Sequence, residues 1–157
     1  KWLAPRLARY SQQAPDVRFT LVSADSGIDF TEANLDLAIF WTDGAGDHEG
    51  VALSDAMMVT VAGPGSESDT RIAWPGCPVE DGEPALRLGD AGLAIDAAAN
   101  GLGQANVPAM LAEADIASGR VRLVREAFAV KRGYWLVAPT PQWRQAKVKA
   151  LVAALTA

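Results

Sequence analysis

Residues 34–44 read NLDLAIFWTDG, and the reading of this stretch decides what kind of sheet the chain builds. Residues 35–40 are a predominantly apolar run of strand length, which passes without alternation into Trp41 and Thr42 and stops at Asp43-Gly44. A strand with one wet face alternates polar and apolar residues, whereas one covered on both faces does not. The run therefore predicts a buried parallel strand. Its aromatic end would lie just past the carboxyl edge of the sheet, where ligands of open α/β sheets bind.

Outward from this stretch, helical and strand periods alternate. Trp2, Leu3, Leu7 and Tyr10 recur at helical spacing with Arg6 and Arg9 between them, which predicts a helix over 2–14 that tolerates Pro5 in its first turn and ends near Pro15. Val17, Phe19, Leu21 and Ser23 alternate with Arg18, Thr20 and Val22, the period of a strand. Ser26 with Asp29 three residues on resembles a capping pair, and Phe30 and Ala33 give a second short helix its apolar side. Helix, strand, helix, strand is the rhythm of a parallel sheet covered by helices.

Beyond a polar turn at 44–50, residues 57–61 predict another strand, ended by Gly63-Pro64-Gly65-Ser66. Residues 63–87 are rich in turn formers, with short strand candidates only at 71–74 and 85–88. Residues 90–100, DAGLAIDAAAN, predict an almost wholly apolar helix with Asp90 as N-cap and Gly101 at the left-handed C-terminal position. A strand over 101–108, a helix over 108–117, and strands over 121–124 and 134–138 follow. A last helix covers 142–154, with Thr140 as its cap and Pro141 in its first turn.

The 157 residues are enough for one domain or two small lobes with a real core. Half are hydrophobic and a fifth charged, which is ordinary for a folded soluble chain. The net charge of -5 disfavours nonspecific attraction to nucleic acid. The lone Cys77 cannot close an intrachain disulfide, and no stretch has the length of a membrane span or the layout of a signal peptide. A cytoplasmic protein is expected. Because Lys1-Trp2-Leu3 enters helical sequence with no initiator methionine, the chain is also expected to be a fragment.

Four segments in this order resemble the C-terminal effector-binding (substrate-binding) domain of the bacterial LysR-type transcriptional regulators, in the branch of the glycine-cleavage and beta-lactamase regulators. They are WLAPRLARYSQQAPDVRFTL (2–21), DFTEANLDLAIFWTDG (29–44), AIDAAANGLGQANVPAMLAEADIASGRVRLV (94–124) and YWLVAPTPQ (134–142). The resemblance implies an α/β fold like that of type II periplasmic binding proteins, with two lobes joined by two crossover strands and a small effector between them. The first lobe would be 1–61 plus 134–157 and the second 62–133, with crossovers near 59–62 and 131–136. Family members carry a further strand and a loop before the first helix, so the first strand of that lobe is expected to be missing. The segment after Pro64 is shorter than the family's helix-containing insertion. Phe40 stands where this branch commonly has Arg, which weakens any inference to an acidic effector.

On this placement, Ser23 and the following Ala24 and Asp25 could receive an anion or a carbonyl, or form an ordinary capped strand end. Trp41 and Thr42 could wall a cleft, the indole offering a directed N–H, or Trp41 could simply plug the lobe. Leu88, Gly89 and Asp90 would face the same effector from the second lobe, although Asp90 reads first as a cap. The apolar helix over 90–100 needs burial on nearly every side. In the family it packs against the first helix of a second subunit, so Leu3, Leu7 and Tyr10 on helix 2–14 and Leu93 and Ile95 on helix 90–100 are the expected homodimer contacts. DNA would be held only by a domain outside this chain.

No catalytic set, cofactor site or metal site is expected. His48 stands alone in an acidic loop, Cys77 lies alone between Gly76 and Pro78, and the GLGQAN glycines close a helix where a dinucleotide fingerprint would open one. The alternative to a regulator's sensor is a free-standing binding protein of the periplasmic type.

Overall fold

The computed structural model describes residues 1–24, 28–78 and 82–157. The chain forms two compact units: Trp2–Asp55 with Arg132–Ala157, the first lobe, and Ala56–Lys131 with Lys1, the second. The divisions fall at 55/56 and 131/132, earlier than the expected 61/62 and 133/134. The reason is hydrogen bonding: the strand Met57–Ala62 pairs on both of its sides with strands of the second lobe, so it cannot be shared.

In the first lobe, α1 (Leu3–Gln13) packs on α5 (Ala146–Thr156). A three-stranded sheet holds β1 (Ala38–Thr42), β2 (Glu49–Ala52) and β8 (Gly133–Ala138) in the order β1-β8-β2. Both pairings are antiparallel. Its core gathers Phe30, Ala38 and Val137, with Ile28, Leu35, Phe40 and Trp135 packed against them.

Several expectations fail in this lobe. The quoted stretch does not supply a parallel strand buried on both faces: β1 is an edge strand that runs antiparallel to β8, and of its residues only Ala38 is buried. Residues 17–23 have strand periodicity but form no ladder, and Leu21 is 65% exposed. Strand periodicity needs a hydrogen-bonding neighbour to become a strand. The expected second helix is one turn, in which the Asp29 carboxylate accepts from the Thr31 and Glu32 amides and Asn34 takes a left-handed φ of 52°. Its proposed partner Ser26 lies outside the described residues. Glu49 and Gly50, read as turn, open β2 because β8 offers them a second edge. The final helix is broken into α4 (Thr140–Trp143) and α5, with Thr140 inside the first helical turn.

The second lobe follows the reading more closely. Its mixed sheet runs β5 (Leu86–Arg87), β4 (Arg71–Ala73), β6 (Gln104–Pro108), β3 (Met57–Ala62), β7 (Arg122–Ala129). β4 is parallel to β5 and β6; β3 is antiparallel to β6 and β7. Helices α2 (Ala91–Ala99) and α3 (Ala109–Ala117) pack on this sheet. Asp90 caps α2 by accepting from the Leu93 amide at 2.9 Å, and Gly101 takes φ +83° after it. β7 extends to Ala129, past the expected 124, because β3 pairs with it over its full length.

Two residues after Gly101 the chain turns again. Gly103 has φ +149°, and a Cβ there would collide with the Thr70 carbonyl oxygen, which accepts from the Gln104 amide at 2.7 Å. Gly103→Ala should destabilise the chain by about 2 kcal/mol through steric strain, visible as a Tm several degrees lower in a thermal melt. An unchanged Tm would show that the turn can relax.

Candidate functional site

The second lobe contains a cavity of about 420 Å³ bordered by β3, β4, β5, β6, β7 and the loop after Ala73. Its floor follows from strand alternation. Val59 and Val61 pair with Val107 and Ala105, all four buried, while the intervening Thr60 pairs with Asn106 on the opposite face of the sheet. No residue of α2 or α3 lines the cavity, so these helices cover the Val59/Val61 face.

Thr60 is 7% exposed and polar, so its hydroxyl needs partners. It donates to Asn106 Oδ1 at 2.6 Å and accepts from Arg125 Nε at 2.9 Å. The register of β7 makes the second bond. Met57 and Met58 oppose Ala129 and Phe128, and the same register would place Glu126 opposite Thr60. A shift between Met58 and Thr60 places Arg125 there instead. Bulges re-aim side chains in this way. The guanidinium also lies over the Phe128 ring, 4.5 Å from its centroid.

The wall is built by the turn after β4. The Cys77 amide donates to the Trp74 carbonyl at 3.0 Å, and the Trp74 indole Nε1 donates to the Asn106 carbonyl at 2.7 Å, which fixes the ring at the cavity edge. Arg71 reaches from β4 to donate to the Gly82 carbonyl. Thr60, Arg71, Trp74, Asn106 and Arg125 went unsingled in the sequence reading. The available signal was Thr60 itself, a polar residue in the middle of an otherwise apolar strand.

The sequence-predicted residues are distributed between the two lobes. In the first, Ser23 and Ala24 lie in exposed, unladdered chain, and Asp25 is outside the described residues. Trp41 and Thr42 end β1; the Trp41 ring rests on its cross-strand neighbour Tyr134, centroids 4.9 Å apart. In the second, Leu88 extends the β4 ladder by donating from its amide to the Ala73 carbonyl, Gly89 is exposed, and Asp90 acts as the cap of α2.

Of the expected dimer contacts, Leu7 is buried and Ile95 is 0% exposed, so neither can meet a partner. Ala91, Ala94, Ile95 and Ala98 form the stripe at i, i+3, i+4 and i+7 that α2 buries within its own lobe. Leu93 is 49% exposed, and Leu3 and Tyr10 are half-buried. Tyr10 packs its ring on Phe19 with an edge contact.

The flank of α2 carries an ion network. Lys1 Nζ lies 2.9 Å from Asp96 and 3.1 Å from Asp115, and Arg120 reaches the same two carboxylates at 2.9 and 2.8 Å. Hydrogen bonding from Lys1 leads the causes that hold the Asp96 carboxyl below its usual value. For Asp115, burial pushes upward, but bonds from Arg120 and Lys1 outweigh it and the net direction is down. Among the described residues, no group of three or more His, Cys, Asp or Glu could hold a metal ion, and no helix is long and apolar enough to cross a membrane.

The LysR substrate-binding domain model matches residues 73–157, over half of the chain. The chain belongs to the LysR substrate-binding domain family. Solved structures extend the likeness to the whole fold. The effector domain of the regulator AmpR from Pseudomonas aeruginosa superimposes with a TM-score of 0.77 at 21% identity, covering 99% of this chain and 87% of that one. The AmpR effector-binding domain from Citrobacter freundii gives 0.78 at 15% identity, covering 98% and 89%. The regulatory domain of CrgA from Neisseria meningitidis, a LysR-type regulator, gives 0.73 at 16% identity, covering 98% and 90%. No curated protein matches the chain. The architecture of this LysR-family domain is thus the two-lobed α/β fold of the periplasmic-binding-protein type.

The ion network predicts an acid-side stability loss. Carboxyls held below their usual value of 3.8 contribute stability that is fully present above that value and lost as pH falls through the folded-state value. Asp115→Asn should therefore lower Tm at neutral pH, with the gap to wild type shrinking as the pH is taken below 4. A gap that stays constant across the titration would contradict the network's role.

Proposed function

We propose that this domain senses a small-molecule effector for a transcription regulator, acting as a homodimer and passing the bound state to a DNA-binding helix-turn-helix carried elsewhere in the regulator. The observation carrying this reading is the family match over 73–157, in a chain whose fold follows regulator effector domains along nearly its whole length. Nothing in the reading calls for catalysis. An effector acts by binding one arrangement of the protein more tightly than another, and the difference in affinity is what reaches the DNA.

Ser23, Ala24, Trp41 and Thr42 are the proposed effector contacts of the first lobe, with Leu88 and Gly89 those of the second. For the dimer, the accessible members of the expected set are Leu3, Tyr10 and Leu93 on α1 and α2. The net charge of -5 fits a part that does not itself hold DNA.

The alternative, a free-standing binding protein, separates from this reading at the gene. A regulator needs a basic helix-turn-helix and linker helix upstream, whereas an exported binding protein needs a signal peptide there.

Two measurements test the proposal. In a metabolite panel of amino acids, organic acids and aromatics, a true effector at a hundred times its Kd should stabilise the chain by about 2.7 kcal/mol, raising Tm by several degrees. No shift from any member would count against small-molecule sensing. Leu93→Asp should convert the dimer to monomer in light scattering; an unchanged mass would remove α2 from the interface.

A further inference from the structure

We propose that the cavity of the second lobe is a binding site for a small carboxylate with a planar apolar body. Every described residue that lines it belongs to Ala56–Lys131, so the site lies within one lobe and does not rest on the effector contacts proposed above. Three observations carry it.

The volume of about 420 Å³ falls within the range of small-molecule pockets. An ordinary solvent-facing strand would leave Thr60 exposed; here it is covered, in a hydrogen-bonded chain from Arg125 through Thr60 to Asn106. Such a floor holds polar atoms in fixed positions before any ligand arrives.

The chemistry at the rim comes from Arg71, Arg125 and Arg87, the last also paired with Glu83. A guanidinium presents five N–H donors in a planar fork that matches a carboxylate. The ligand carboxylate competes for these donors with the protein acceptors they already contact. The register shift of β7 is the second indication of polarity, because it aims Arg125 at the floor where the uninterrupted register would aim Glu126. The third observation is the wall: Trp74, 8% exposed, and Pro75 line the cavity and offer apolar surface to the body of the ligand.

The test labels all five tryptophans of the whole chain with 5-fluorotryptophan and follows them by fluorine NMR, with Trp74→Phe and Trp41→Phe identifying two resonances. Sodium benzoate should move the Trp74 resonance saturably at millimolar concentration and leave Trp41 unmoved. Arg71→Gln should weaken the fitted Kd at least about tenfold, the loss expected for a charge-assisted pair. Arg71→Lys, which keeps the charge and loses the fork, should also weaken it, and fold integrity is read from the other four resonances. No saturable movement of Trp74, or a Kd unchanged in both Arg71 variants, overturns the proposal. Equal movement with inorganic phosphate overturns the assignment to a planar carboxylate. Movement of Trp41 alone would place benzoate at the effector contacts of the first lobe and overturn this site while leaving the sensing function intact.

Discussion

The second lobe depends on β3 being hydrogen-bonded along both edges. Met58, Val59, Val61 and Ala62 are all buried, and Thr60 between them is almost as covered. A strand in that position has no edge to give to solvent or to another lobe. It therefore determines where the chain divides, which residues meet the helices, and which polar groups must be satisfied internally. The alternation that hides Val59 and Val61 beneath α2 and α3 is the same alternation that sends Thr60 to the other face. The cavity floor is thus a consequence of the core pattern, to which the β7 shift adds a cation opposite Thr60.

The first lobe is organised by β8 in a comparable way. Gly133–Ala138 sits between β1 and β2, so Trp135 faces Phe40 on one side and Ala52 on the other. The sequence made β8 easy to find, since its apolar run is bounded by Gly133 and Pro139. What it could not reveal was direction. An apolar strand flanked by helical patterns reads as parallel, yet β1 and β8 come from distant parts of the chain and meet antiparallel. Lack of alternation in β1 reflects packing of Phe40 and Trp41 against Phe30 and Tyr134, not a second covering layer. Residues 17–23 show the converse: a correct local period without a neighbour leaves Leu21 and Val22 in solvent.

Local chemistry explains which elements were legible. Asp90 and Gly101 bracket α2 with a cap and a left-handed stop, signals that act within a few residues and need no tertiary information. The same holds for the strands at β4, β5 and β6, each bounded by turn formers, while α1 was legible from its helical spacing and the Pro15 beyond its end. The site was less legible because its residues come from five strands and the loop after Ala73, and only their pairing gathers Arg71, Trp74, Asn106 and Arg125 around the cavity that Thr60 floors. A register shift is not encoded in the period of either strand. It emerges when β7 is laid against β3.

The apolar character of α2 also takes on a different meaning. A helix hydrophobic on nearly all sides seems to demand a partner, but its small residues change the arithmetic. Ala91, Ala94, Ala97 and Ala98 are all buried, and the end of the helix lies so close to the chain just past β3 that a Cβ on Gly63 would meet the Ala98 carbonyl at 2.7 Å. Such an approach buries more of the helix circumference against one layer than larger side chains would permit. Asp96 then marks the opposite flank as polar by its bonds to Lys1 and Arg120. What is left for another molecule is a narrow strip around Leu93. If α2 serves association, its contribution is therefore specific to that strip, and the rest of an interface has to come from α1, where Leu3 and Tyr10 are half-buried.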